Sequence, residues 1–287
     1  MTRRLLCGIL VAAYAVLIIP FADFQKNRPV EVKLGYLPHA QILKVTSGEH
    51  RTTTAALIVM RVLFYYGTVI QKLQENVIVR PEFFNLFKTV QTVVDLDPYN
   101  MDSYYFAQAV FTWDAGRVRE VNSLLEQGMQ RRTWDASLPF YVGFNSAYFL
   151  KDYPKAAVYM QYAAERSDNP LYTQLAARYF YESEQSALGL AFLESMILTA
   201  KDKAVRRSYE LRRDALIATT ILEKARDAYS ARFGSLPKQP EQLVEVRLLT
   251  ALPKDPYGGT FFFDERGQVR TTSKLVAAPP EGEGRRK

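Results

Sequence analysis

The side chains able to do chemistry are few, and they stand apart. The 287-residue chain holds two histidines, His39 and His50, and a single cysteine, Cys7. The histidines lie eleven residues apart in a stretch that reads as loop. Zinc needs three or four ligands, and no cysteine or tight carboxylate cluster joins this pair, so two surface histidines are expected and no metal site. No Gly-rich phosphate loop follows a strand pattern, and no Gly-x-Ser-x-Gly elbow occurs. The glutamates of "SLLEQG" and "LESM" sit alone on helical patterns and read as solvated faces. No catalytic residue, cofactor or metal ligand is assigned.

Binding chemistry has more material. The chain carries 18 Tyr and 17 Phe, with the tyrosines concentrated in its middle third. Two readings stand side by side. In one, these rings pack between helices. In the other, those on the first helix of each helical pair line a concave groove, where Tyr and Trp suit peptide anchoring. On the helical register, Tyr105, Gln108, Tyr141, Asn145 and Gln174 are the candidates to face that groove. Net charge is +7, which permits an acidic partner or anionic lipid. No Arg/Lys-dense stripe with interleaved aromatics is present, so no nucleic-acid partner is expected.

The elements that must position these residues begin with a hydrophobic segment. "MTRR" is followed by "LLCGILVAAYAVLIIPFA", which runs over residues 5–22 without a charge. That is long enough to cross a bilayer as a helix, and the flanking arginines predict that its start stays cytoplasmic while the rest is exported. A cleaved signal peptide is the competing reading, but "PFADFQ" fits a small-x-small cleavage site poorly. Cys7 lies at the start of the apolar run and reads as a membrane residue. Residues 24–50, with Pro29, Pro38, Gly35 and Gly48, read as a tether with one short strand or turn. A helix is expected from about Thr52, apolar nearly all round and interrupted at Gly67. Arg61 at its centre argues for a buried packing helix, residues 51–80, over a second span.

From residue 81 the pattern settles into helical pairs. "PEFFNLFKTVQTVVDLDP" is stopped by Asp97-Pro98, and six further helical segments follow to residue 200. Tyr104, Tyr141 and Tyr172 are 37 and 31 residues apart, a mean of 34. In "NSAYFLKDYPKAAVYMQYAA", Ala147-Tyr148 precede an Asp152-Tyr153 turn, and Ala156, Met160 and Ala163 recur on the next helix at small-large-small spacing. This stretch resembles the tetratricopeptide (TPR) motif, whose period is 34. The resemblance covers residues 81–203 and implies an α-hairpin solenoid in which small residues let paired helices approach. It departs from the motif at one shortened turn and at Gly128, where alanine is usual. The segment "YLPHAQILKVTSGEHRTTTAALIVMRVLFYYG" is likewise similar to the entry segment of bacterial membrane-anchored TPR proteins.

Residues 204–275 change character. A long helix is expected to end at Gly234, followed by "SLPKQPEQLVEVRLL" as a turn and short helix. Pro253, Asp255, Pro256, Gly258 and Gly259 then make a rigid corner, and "TFFFD" and "QVRTTS" read as a hairpin turning at Gly267. Phe261 and Phe263 are expected to share one face and Phe262 the other, and one of the two faces to pack on the helix around Ile221, Ala225 and Tyr229. The order of helix, "FGSLP", "LPKDPYGG" and hairpin resembles the C-terminal part of type II secretion major pseudopilins. No glycine-phenylalanine processing site precedes the apolar run, and the acid-rich calcium loop of that family is missing. The resemblance therefore implies a local fold, and neither polymerisation nor a calcium site.

The sequence thus predicts a mostly α chain: a transmembrane anchor over 1–23, the tether, the packing helix, TPR-like repeats, a small helix-plus-hairpin module over 204–275, and a disordered tail over 276–287. The function expected is a non-enzymatic scaffold, anchored by residues 5–22 in a bacterial inner membrane with its bulk in the periplasm, holding another envelope or secretion-system protein. The alternative is an accessory subunit or hydrolase using the groove as a substrate cleft.

Overall fold

The computed structural model describes residues 2–27 and 32–276. The chain is mostly helical and divides into two compact units, 1–117 and 118–287. The division falls inside the stretch read from sequence as one run of repeats. Apart from Val276, the tail expected over 276–287 lies outside the described residues.

In the first unit, α1 (Thr2–Asn27) passes Pro20 without a break. Its stretch Cys7–Gln25 has a mean hydropathy of 2.1 and is nowhere buried. The described part of the tether is more ordered than expected, and among its described residues there is no strand: α2 (Ala40–Ser47) and a 3-10 turn over Gly48–His50 occupy its second half. Helix α3 (Arg51–Gln74) runs straight through Gly67. A single interior glycine costs a helix only about 1 kcal/mol relative to alanine, which packing on one side readily offsets. One face of α3 buries Ala55, Ile58, Val59, Val62, Tyr65 and Val69, and the helix packs on α4 (Phe83–Leu96). The opposite face is open, so α3 is a packing helix on one side only. The Arg61 guanidinium donates to the carbonyls of Leu34 (2.8 Å) and Tyr36 (3.2 Å), tying the segment ahead of α2 onto α3. Gly35, at φ +81°, lies against that guanidinium, where a side chain would collide with it.

Helix α4 stops at Asp97, which is extended ahead of Pro98. The Asn100 side chain then caps α5 (Met101–Phe106) by accepting from the Ser103 N–H at 3.0 Å. Helix α5 continues into a wide π-turn over Ala107–Phe111.

The second unit holds α6 (Val118–Met129), α7 (Ser137–Tyr148), α8 (Tyr153–Glu165), α9 (Pro170–Glu182), α10 (Ser186–Thr199) and α11 (Lys203–Phe233). Each packs on the next in chain order from α6 to α11. Short polar residues start three of these helices. Asp152, Asn169 and Asp202 accept from backbone N–H groups of Lys155, Leu171 and Val205 at 3.1, 3.0 and 2.9 Å. Close approach depends on small residues. Ala156 and Ala163 are fully buried, and a side chain on Gly143 would meet the Ala156 carbonyl at 3.3 Å. Gly234 ends α11 in the left-handed conformation, φ +69°.

Helix α12 (Glu241–Glu245) and a two-stranded antiparallel sheet complete the unit: β1 (Phe261–Phe263) and β2 (Val269–Thr271), with Phe262 opposite Arg270. Phe261 and Phe263 pack with Val269 and Leu243 onto Leu222, Ala225 and Tyr229, while Phe262 turns outward. The hairpin thus sits on α11 as expected, except that Leu222 and not Ile221 faces it. Ile221 is 41% exposed.

The three tyrosines that set the 34-residue spacing do not occupy equivalent environments. Tyr104 is fully buried and its hydroxyl donates to the Pro98 carbonyl at 3.0 Å, whereas Tyr141 and Tyr172 are half-buried.

Replacing Ala156 or Ala163 by leucine should force α8 away from its neighbours and cost about 1–3 kcal/mol. Thermal melts of the detergent-solubilised chain check this, and unchanged melting temperatures for both variants would contradict the packing described.

Candidate functional site

The groove residues expected from the sequence separate. Tyr105 and Gln108 belong to the first unit; Tyr141, Asn145 and Gln174 belong to the second. Tyr105 is 60% exposed, but Gln108 is buried in the π-turn. Asn145 is completely buried, and its Nδ2 donates to Asn122 Oδ1 at 2.8 Å, joining α7 to α6. Gln174 is half-buried, donates from Nε2 to Ser208 Oγ at 3.3 Å, and its backbone carbonyl accepts from Arg212 at 3.2 Å. Gln108 and Asn145 therefore do not face a groove. An amide on a helix serves an inter-helix bond as readily as a binding surface, and its identity does not say which.

The large side chains that do reach the surface of the second unit are others. Trp134 is 61% exposed and Tyr148 53%. Tyr148 stacks on Phe144 with ring centres 5.4 Å apart, and Phe149 meets Tyr148 edge-on at 4.8 Å. This presents a rigid aromatic ledge at the end of α7.

Glu126, Lys155 and Tyr159 bring three ionisable groups together. Glu126 Oε1 accepts from the Tyr159 hydroxyl at 3.0 Å and pairs with Lys155 Nζ at 2.8 Å. Burial, and then donation to Glu126, push the Tyr159 hydroxyl well above its ordinary range. A phenol held protonated in this way links α8 to α6 and is poorly placed to act as a base. Among the described residues no three His, Cys, Asp or Glu side chains gather in a form that could hold a metal ion.

The corner is built around a buried carboxylate. Asp255 Oδ2 accepts from the Ser273 hydroxyl at 2.6 Å and from the Thr271 hydroxyl, while Oδ1 accepts from the Tyr257 N–H at 2.9 Å. Gly258 has φ +82°, so it supplies the left-handed step. Gly259 is needed for a different reason: a side chain there would strike Asp255 Oδ2 at 2.6 Å and the Ser273 N–H nitrogen at 2.7 Å. The sequence suggested a corner acting through its backbone. The structure adds a side-chain hub that locks the corner to the end of β2.

Three arginines, unremarked in the sequence, fasten this module to the helices. Arg212 donates to the Leu275 carbonyl at 2.8 Å. Arg226 donates to the Gly267 carbonyl at 3.0 Å and pairs with Glu184 and Asp227. Arg270 lies over the Tyr181 ring, between Glu182 and Asp264, each at 3.2 Å. Burial pushes the Tyr181 hydroxyl up to about 12, and the same oxygen accepts the Thr271 N–H at 2.9 Å.

Strand register leaves one edge open. Asp264 and Thr272 donate across the hairpin to Gln268 and Thr260, so within the ladder Phe262 and Arg270 exchange hydrogen bonds. The N–H and C=O groups of Phe261 and Phe263 consequently point away from β2. Beside Phe261 lies a cleft of about 370 Å³ lined by Leu222, Pro240, Leu252, Pro253 and Lys254. An extended segment laid along β1 would find those backbone groups ready to pair.

No family model matches the chain, and no curated protein or solved structure matches it.

Replacing Asp255 by alanine strands the hydroxyls of Thr271 and Ser273 and should cost about 1–3 kcal/mol. Asp255→Ala and Thr271→Val should destabilise together by less than the sum of their separate effects, because they remove the same bond. Full additivity in thermal melts would show that the hub does not exist.

The other buried carboxylate among the described residues is Glu223, which accepts from the Ser186 hydroxyl at 2.9 Å. Burial raises its carboxyl above the ordinary 4.5, and the Ser186 bond offsets this only in part. Folding therefore opposes its ionisation, a cost absent below the ordinary value that grows as pH rises through the raised one. The melting temperature of Glu223→Gln should accordingly gain on that of the native chain as pH rises from below the ordinary carboxylate range to above it. A difference that stays constant over that range would contradict the assignment.

Proposed function

We propose that this chain is a non-enzymatic, membrane-anchored helical scaffold that holds another protein of the bacterial envelope or its secretion machinery. The observation that carries the reading is α1. Its Cys7–Gln25 stretch is long and apolar enough to span a bilayer, and no part of it is covered by the rest of the protein. Left in water, such a surface would be costly; in lipid it needs no partner. Arg3 and Arg4 ahead of the apolar run set the orientation, with the bulk of the chain in the periplasm.

Docking surfaces support the second half of the reading. Trp134 and the Tyr148 ledge offer the rigid aromatic area that dominates protein interfaces. The open edge of β1 offers backbone pairing beside an apolar cleft. The tetratricopeptide-like pattern of 81–203 and the pseudopilin-like order of 204–275 belong to this proposal, since both suit assembly work at a membrane.

Alkaline phosphatase fused to the C-terminus should be active in cells, and a cytoplasmic reporter at the same point inactive; the reverse pattern sinks the orientation. A photo-crosslinking amino acid at Tyr148 should give an adduct of one discrete mass in intact membranes, which the same probe at Lys224 does not give. Identical adducts from both positions would remove the ledge as a docking surface.

A further inference from the structure

The open face of α3 is the largest feature that the scaffold reading does not use. Leu57 is 63% exposed, Met60 50%, Leu63 48% and Phe64 69%. At 100° per residue these four, with Ala56 and Gly67, form one continuous strip opposite the face that packs on α4. The strip amounts to a few hundred Å² of apolar surface, a size that marks a contact site on a protein surface.

We propose that this strip lies on the lipid bilayer that α1 enters, so that α3 is an interfacial helix and the first unit rests on the membrane. The inference rests on the reading of α1 as a membrane span. Three observations select lipid as the occupant. The first is reach. Twelve residues, 28–39, separate α1 from α2, and a chain of that length extends at most about 40 Å. The first unit is therefore held near the surface into which α1 inserts.

The second observation is charge. No Asp or Glu occurs between Glu49 and Glu75, so no carboxylate along the strip would oppose anionic headgroups. Arg51, which donates to the Lys44 carbonyl at 3.2 Å, and Lys72, paired with Glu75 at 2.8 Å, lie outside the strip and carry no weight here. The third is shape. The strip is the convex surface of a helix and offers no recess and almost no polar group for a specific protein contact, whereas a bilayer requires neither. Helix α3 lies on the membrane and does not cross it. Its opposite face is committed to the core, and Arg61 is held by the carbonyls of Leu34 and Tyr36.

The test uses the full chain in vesicles of phosphatidylcholine and phosphatidylglycerol. Cys7 is the only cysteine, so a Cys7→Ser background accepts one environment-sensitive fluorophore at a time, on Ala12→Cys, Phe64→Cys or Lys224→Cys. Nitroxide-bearing lipids should quench the probes at Ala12 and Phe64 severalfold more than the probe at Lys224, an exposed position on α11. Met60→Cys should repeat the result at Phe64, guarding against a local effect of one substitution. Quenching at Ala12 without quenching at Phe64 and Met60 would overturn the proposal and leave the anchor standing. Quenching at Phe64 and Met60 without quenching at Ala12 would remove the anchor and leave the surface contact. A blue-shifted Phe64 probe that lipid nitroxides do not quench, and whose shift grows with protein density in the vesicle, would assign the strip to a second copy of the chain and overturn the lipid contact.

Discussion

Helix α11 is one uninterrupted rod of 31 residues, and its buried side chains divide between two cores along its length. Tyr209, Ala215 and Leu216 face Ala177, Tyr181 and Leu193 of the preceding helices. Two turns later, Leu222 and Ala225 face Leu243, Val269 and the phenylalanines of β1. A straight helix presents one continuous stripe, so both cores must be built against the same rod, and the hairpin module cannot shift without moving helical packing. That continuity is why Asp202 and Gly234, which set the two ends of the rod, matter well beyond their own capping bonds.

A two-stranded sheet of three-residue strands cannot stand alone in water. What holds this one is polar chemistry at its ends. The Asp255 carboxylate collects two hydroxyls and an amide, and Arg212, Arg226 and Arg270 each reach a carbonyl or carboxylate across the seam between hairpin and helices. Tyr181 serves both purposes, placing its ring in the helical core and its hydroxyl on the Thr271 N–H. With these polar partners supplied, a small apolar cluster is enough. The same arrangement leaves the far edge of β1 unpaired by β2.

The first unit obeys a different constraint. Helix α3 is apolar on both faces, and one layer of packing against α4 can satisfy only one of them. In a protein free in solution the second face would be a liability. On the proposal that α1 spans a bilayer, that face lies within about 40 Å of lipid, and no acidic residue along α3 opposes the contact.

Much of the fold was legible in the sequence because it follows from local chemistry. The apolar run, the Asp97-Pro98 stop, the Asp152-Tyr153 turn, the Gly234 terminus and the alternation of Phe261, Phe262 and Phe263 each act within a few residues, and local pattern exposes them. The candidate surface was less legible. Gln108 and Asn145 looked like groove residues, yet they are buried, because an amide on a helix is equally suited to an inter-helix bond and only packing chooses between the two. Ile221 and Leu222 are neighbours of the same chemistry, and a 100° rotation fixed by α10 and the hairpin decides which one is covered. Gly259 could be read as a turn residue, but the reason for it is the Asp255 carboxylate, brought close by the return of β2. The sequence by itself determined the helix ends at Asp97-Pro98 and Gly234 and which segment is fit for lipid, but neither α2 nor the continuity of α3 through Gly67. Tertiary structure alone decided which face of each helix is buried and which arginines are clamps, because those depend on partners distant along the chain.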